Sequence, residues 1–231
     1  MTAAMLTVSA ASVYAQSLTL NYGPLGGSDI IFGGSANTFN FTQGTVSLAN
    51  PLGNQFGITS ESGSADTSSA LGLQGNIFNG PFTYGAISFS TIGPITTQTA
   101  TVISPSGILD IYDGHGGTLS GTVNFIEIST LNQIGGQLNG DLDFNVTGVS
   151  YTGTNPDLAY VNANQPGVLN LSFQFSPGET LTQLSTGSGG ASTTYNGSIS
   201  VIAVPEPTTL AMSGLGALAA LGLTFRSRKN S

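Results

Sequence analysis

Gly117-Thr118-Leu119-Ser120-Gly121-Thr122-Val123-Asn124-Phe125 is followed, 19 residues on, by Gly136-Gln137-Leu138-Asn139-Gly140-Asp141-Leu142-Asp143-Phe144. Each copy puts Gly, Leu, Gly, an aliphatic residue and Phe on one parity and polar residues on the other. Period-two alternation of this kind is a β-strand with one apolar and one wet face. Two such strands separated by Ile134-Gly135-Gly136 read as antiparallel neighbours. After each Phe the apolar phase slips, to Ile126 and Ile128 in the first copy and to Val149 and Tyr151 in the second, and a β-bulge accounts for the slip. Two copies are too few for a solenoid, which needs at least about three stacked units.

The same period runs outward from the repeat. Phe39 and Phe41 alternate with Asn40 and Thr42, Gln43-Gly44 offers a two-residue turn, and Val46 and Leu48 alternate with Thr45 and Ser47, which reads as a hairpin. Leu169, Leu171, Phe173 and Phe175 alternate with Asn170, Ser172, Gln174 and Ser176. Ile199 and Val201 form the last strand. No stretch before Thr208 shows sustained helical spacing, and 33 Gly and 10 Pro punctuate the strands. The Gly- and Ser-rich segment Ser185 to Thr194 reads as a long loop. The expected class is all-β: an antiparallel β-sandwich or jelly-roll-like domain, with a β-helix as the alternative. No composition shift marks a second domain between residues 16 and 203.

Charge narrows the function. Arg226, Arg228 and Lys229 are the only basic residues other than His115, against eleven Asp and Glu, and charged residues make up 6% of the chain. Without a Lys or Arg before position 226 the domain has nothing with which to neutralise nucleic-acid phosphates, so no nucleic-acid partner is expected. There is no cysteine, hence no disulfide and no thiol chemistry. Hydrophobic residues at 39%, with twelve Phe and seven Tyr, argue for a packed core rather than disorder.

The three bases close an apolar run, Thr208 to Phe225. Eighteen residues rise about 27 Å as a helix, close to the roughly 30 Å hydrocarbon core, so 208–225 is expected to be a single transmembrane helix. Arg226, Arg228 and Lys229 are then a cytoplasmic stop signal, and the chain before the span faces out. Ahead of the span, Val204-Pro205-Glu206-Pro207 breaks regular structure, because neither proline donates a hydrogen bond and each forces its predecessor into an extended conformation.

The order Pro-Glu-Pro, apolar span and Arg-rich terminus over residues 204–231 resembles the PEP-CTERM sorting signal of exported proteins in Gram-negative bacteria. The resemblance implies that Pro205, Glu206 and Pro207 are the recognition motif of an exosortase, a membrane enzyme that processes the tail. It implies an inner-membrane intermediate, a final place at the cell surface or outside the cell, and an association with exopolysaccharide and biofilm. It transfers an address and not an activity. Residues 1–15, small and apolar and ending Val13-Tyr14-Ala15, fit a signal peptide cleaved between Ala15 and Gln16. They lack the usual basic leader, so a start upstream of Met1 is expected.

Candidate chemistry is sparse. Asp141 and Asp143 lie two apart on a wet strand face, roughly 7 Å between Cα atoms, a separation that overlaps glycoside-hydrolase acids but equally describes solvated carboxylates. Asp110 and Asp113 with Asp141 and Asp143 are candidate Ca²⁺ ligands, in a spacing that matches no known calcium loop. His115, in the turn Asp113-Gly114-His115-Gly116-Gly117, has no second His or Cys with which to bind zinc. Tyr84, Tyr112, Tyr151, Tyr160 and Tyr195 are candidate sugar-stacking rings or core residues. No cofactor and no catalytic activity are expected, and the reading is an exported surface or matrix protein. The alternative is a secreted carbohydrate-binding or glycan-hydrolysing module acting through Asp141 and Asp143.

Overall fold

Ser17-Leu18-Thr19-Leu20-Asn21-Tyr22 is a strand whose Leu18, Leu20 and Tyr22 are buried while the residues between them are not. This strand begins a compact unit, Ser17–Ile202. The computed structural model describes residues 15–103, 106–132, 138–164, 167–175, 179–186 and 191–203. Its strands are β1 (Ser17–Pro24), β2 (Ile30–Phe32), β3 (Thr38–Phe41), β4 (Phe56–Ser62), β5 (Gln74–Phe78), β6 (Phe82–Thr83), β7 (Ser88–Ile92), β8 (Ile95–Thr101), β9 (Gly107–Tyr112), β10 (Thr118–Asn132), β11 (Leu138–Tyr151), β12 (Gly167–Phe175), β13 (Ala191–Thr193) and β14 (Tyr195–Ile202). Two short helices join them, α1 (Pro156–Ala163) and α2 (Leu181–Thr186).

Every pairing among these strands is antiparallel. The protein is therefore mostly β and antiparallel, and the β-helix alternative, which stacks parallel strands, does not hold. The larger sheet runs β11-β12-β14-β1-β4-β5-β9-β10-β8-β7, and β10 also pairs with β11. That last pairing turns eight strands into a closed circuit, with β8 and β7 branching from it. The branch exists because β10 is fifteen residues long. Its first half, Thr118–Val123, pairs with β9, and its second half, Glu127–Asn132, pairs with β8 on the same side.

The two copies of the repeat are β10 and β11, neighbours as expected, and their Phe residues face each other: Phe125 is the register partner of Phe144, with ring centroids 5.2 Å apart. The register shifts between Phe125 and Glu127 and again between Ser120 and Thr122. The first shift makes Ile126 an unpaired extra residue, so it turns outward, 47% exposed, while Ile128 is buried. Only half of the expected pair Ile126 and Ile128 is thus in the core. The second shift passes Gly148, whose φ of +59° favours glycine, and delivers Val149 inward.

A smaller sheet, β13-β2-β3-β6, lays its rings on the larger one. Phe39 is fully buried and meets Phe32 and Phe82 of its own sheet at 6.3 and 5.4 Å and Phe125 of the large sheet edge-on at 5.4 Å. Phe82 and Phe125 approach to 4.3 Å, and Phe41 meets Tyr195 at 5.3 Å. Offset and edge-on rings at these distances add about 0.5–1.5 kcal/mol per pair beyond the area they bury.

Three local expectations are corrected. Phe39 and Phe41 do lie on a strand, but its partners are β2 and β6, and Val46 and Leu48 are exposed on an irregular loop instead of completing a hairpin. Gly44 is no turn residue there: a Cβ would strike the carbonyls of Leu25 and Asn54, so glycine is required by close approach. Helices also occur before Thr208. Asn155 accepts from the N–H groups of Asp157 and Leu158 at 3.1 Å each and Pro156 opens the first turn, which starts α1. Its Leu158 and Val161, with Leu181 and Leu184 of α2, complete the core. The segment expected as a loop from Ser185 to Thr194 contains the end of α2 and all of β13.

The expected membrane span 208–225 and residues 1–14 of the signal peptide lie outside the described residues. Among the described residues no helix is long and apolar enough to cross a membrane.

Candidate functional site

Asp110 and Asp141 sit on strands that flank β10, opposite Ser120 and Ser129 respectively. Nine positions along a bulged strand span roughly 25–30 Å, so these acids cannot share an ion. Asp143 faces Glu127 across the ladder, both exposed. Asp113 is elsewhere again and is engaged in building a turn. Its Oδ1 accepts from the N–H groups of His115 and Gly117, both at 2.8 Å, and its Oδ2 accepts from the Tyr151 hydroxyl at 2.8 Å. The His115 N–H, opposed by burial but seconded by Tyr151 and Gly117, holds the Asp113 carboxyl below the usual carboxylate range. The Tyr151 oxygen in turn accepts from the Asn155 N–H at 2.6 Å, so the β9–β10 turn is tied to the cap of α1. His115 is exposed, its Nδ1 3.0 Å from the Asp113 carbonyl, a solvated turn residue.

Two of the five candidate tyrosines are core residues. Tyr84 and Tyr195 are 1% exposed, and burial pushes both hydroxyls up, Tyr84 to about 12. Tyr112, Tyr151 and Tyr160 are half-buried.

An amide network that the sequence pattern did not reveal lies under the 42–55 loop. Asn50 bonds the Asn54 carbonyl and N–H at 2.9 and 2.7 Å, Asn76 Nδ2 donates to Asn54 Oδ1 at 2.8 Å, and Gln55 Oε1 accepts from the Ile77 N–H at 2.6 Å. Asn50, Asn54, Gln55 and Asn76 are all buried. A buried network this well satisfied specifies one packing and leaves little for a ligand.

A second set of carboxylates was also missed. Glu61 on β4, Asp66 in the loop after it and Asp157 in the first turn of α1 each present an oxygen within 4.8 Å of the others, the only such group of three among the described residues. Asp157 is fully buried. Its Oδ1 accepts from the Thr67 N–H and hydroxyl at 3.0 and 2.8 Å, and its Oδ2 from the Ser69 N–H and hydroxyl at 2.8 Å and the Ala70 N–H at 3.2 Å. Burial alone would raise the Asp157 carboxyl, but these Ser69 and Thr67 bonds prevail and hold it below its usual value. Glu61 is pushed up to about 8 by burial, then by the neighbouring Asp157 and Asp66 carboxyls. Asp157 donates no sequence signal of this role beyond the Asn155-Pro156-Asp157 start of a helix. Its partners are some 90 positions earlier in the chain.

The sorting residues Pro205, Glu206 and Pro207, the stop residues Arg226, Arg228 and Lys229, and the membrane span lie outside the described residues. Ala15 and Gln16, flanking the expected cleavage point, are described and exposed. Residues 203–229 match the family model of the PEP-CTERM protein-sorting motif. That motif supports export through exosortase-type sorting, and it implies transient membrane anchoring and a cell-surface destination. No curated protein and no solved structure matches the chain.

Proposed function

We propose that the chain is a non-enzymatic cell-surface or extracellular-matrix protein: a low-charge β-domain of sandwich or jelly-roll type, delivered by its tail and resident in exopolysaccharide or biofilm. The observation that carries this is the sorting motif at 203–229. In this reading residues 1–15 are removed between Ala15 and Gln16, and residues 208–225 cross the inner membrane as a helix. Arg226, Arg228 and Lys229 hold the C-terminus in the cytoplasm, because cationic flanks resist translocation. An exosortase recognises Pro205, Glu206 and Pro207 and detaches the domain from the span. Association with a neutral polymer suits a surface whose solubility comes from hydroxyls and amides, since 6% charged residues leave little electrostatic grip.

Glu206→Ala separates sorting from plain anchoring, because it alters neither the apolar span nor the terminal charge. In a host with an exosortase, intact-mass comparison of membrane and extracellular fractions is expected to show a shortened wild-type protein outside and an uncleaved Glu206→Ala chain in the inner membrane. Wild type and variant both uncleaved in the inner membrane would refute the reading. A glycan array and a glycosidase panel on the same material are expected to show no hydrolysis.

A further inference from the structure

We infer that the open edge of β7 receives the β7 strand of a second copy of this chain, the two strands running antiparallel about a two-fold axis at Ser90. β7 ends the larger sheet, bonded to β8 on one side and, among the described residues, to no strand on the other. An edge strand turns a row of N–H and C=O groups outward, and another extended backbone matches their spacing. All five residues of β7 are exposed, Phe89 at 63% and Ile92 at 80%. The edges of the smaller sheet are blunted by their shortness, β13 having three residues and β6 two. β7 carries none of the devices that keep edges apart: it contains no charged residue and no proline, and its ladder with β8 has no bulge.

Charge selects the occupant. With no Lys or Arg before Arg226, two copies of this acidic domain repel wherever their carboxylates approach. No Asp, Glu, Lys or Arg occurs between Asp66 and Asp110, so at β7 and β8 two copies meet without opposed carboxylates. Glu127, on the next strand inward, stands opposite Thr101, past the end of β7, which starts opposite Thr99. A charged peptide finds no counter-charge on this edge, whereas the β7 sequence is complementary to itself. The two-fold axis between paired antiparallel strands is perpendicular to the sheet, so facing residues lie on the same side and have the same parity. Centring on Ser90 is the register that uses all five residues: Ser90 meets its own counterpart, Phe89 meets Thr91 and Ser88 meets Ile92 across the seam. An aromatic ring beside a β-branched residue is a favourable cross-strand pair. Five residues a side fall well short of the roughly 20–30 a side of a standard interface, so the pairing is weak and reversible and forms where copies are crowded.

The edge is independent of the sorting tail and is tested on the full chain, kept in mild detergent on account of its apolar C-terminal segment. The chain has no cysteine, so a single introduced thiol can link only to its own counterpart. Facing Cα atoms of an antiparallel pair lie about 4.5 or 5.5 Å apart, within the span of a disulfide. Under mild oxidation Ser90→Cys is expected to form a linked dimer about tenfold faster or more than Leu48→Cys on the exposed 42–55 loop, because the seam holds its thiols at an effective concentration above that of free chains. Sedimentation equilibrium is expected to show a wild-type dimer fraction that rises with concentration up to about 1 mM. Ser90→Lys sets two like charges against each other at the axis and is expected to stay monomeric. Circular dichroism checks its folding, and if Ser90→Lys does not fold, the comparison of the two cysteine variants decides. Ser90→Cys linking no faster than Leu48→Cys overturns the inference. So does a wild type that is monomeric throughout, or a folded Ser90→Lys that dimerises as wild type does, which would put the association on the C-terminal segment or another surface.

Discussion

Replacing Phe39 by Ala removes the ring on which the two sheets meet. Phe39 is fully buried and its ring faces those of Phe32, Phe41, Phe82 and Phe125 at 5.4–6.3 Å. Core Phe→Ala changes cost about 3–5 kcal/mol, the spread reflecting how far the surroundings collapse into the space left. Collapse is resisted here, because neighbouring rings are anchored on strands of different sheets, and the edge-on pair with Phe125 is lost as well. The expected loss is therefore at the upper end, about 4–5 kcal/mol, set against a total of about 5–15 kcal/mol for a domain. Urea unfolding followed by far-ultraviolet circular dichroism gives the number, with the slope against denaturant unchanged if the unfolded state is unaltered. Phe89→Ala is the control: Phe89 is 63% exposed on β7 and should change stability by no more than about 0.5 kcal/mol. A Phe39→Ala loss below about 2 kcal/mol, or one no larger than that of Phe89→Ala, would show that the rings do not join the sheets.

Two further outcomes follow from single residues. Asp113 has a folded-state pKa below its unfolded one, so its contribution is present above the unfolded value of about 3.9 and disappears as pH falls through the folded value. Melting temperatures measured from pH 6 downward should fall less steeply at the acid end for Asp113→Asn than for wild type, and parallel curves would contradict this. Gly75→Ala should destabilise by about 1–3 kcal/mol, because the added methyl meets the Asp110 carbonyl and the Phe56 ring that covers this glycine from the next strand. An unchanged urea midpoint would mean that β5 shifts to make room.

Local alternation made the strands readable, and the repeat made one pairing readable, because β10 and β11 are consecutive and their Phe125 and Phe144 fall in register. The rest is decided by residues remote in sequence. Gln43-Gly44 has the composition of a tight turn, yet Gly44 is small because two carbonyls crowd it, a fact that only the folded loop contains. The two turns of α1 are too short to show a sustained apolar stripe, although Asn155-Pro156-Asp157 is a legible cap and first turn. Asp141 and Asp143 attracted notice by adjacency. Glu61, Asp66 and Asp157 escaped it because α1 has to fold back against the loop after β4 before the three meet. The tail was the most legible part, since its order of motif, span and charge is read along the chain and needs no tertiary contact.

The closed circuit of strands bears on how such a domain leaves the cell. β1, the first strand, is completed by β14, the last, in a register that runs from Ser17 against Ile202 to Tyr22 against Gly197. A chain threaded across a membrane from its N-terminus presents β1 to the outside long before β14, so the seam stays open until almost the whole domain has passed. Pairings this distant are slow to form and are rewarded late. The delay keeps the polypeptide pliable while it is being moved, and the circuit can shut only as the residues just ahead of the sorting motif emerge. Once shut, each of the eight strands has a neighbour on both sides, which reduces the bare edge on which another copy can template, a protection that a domain without lysine cannot obtain from lysines on its edges.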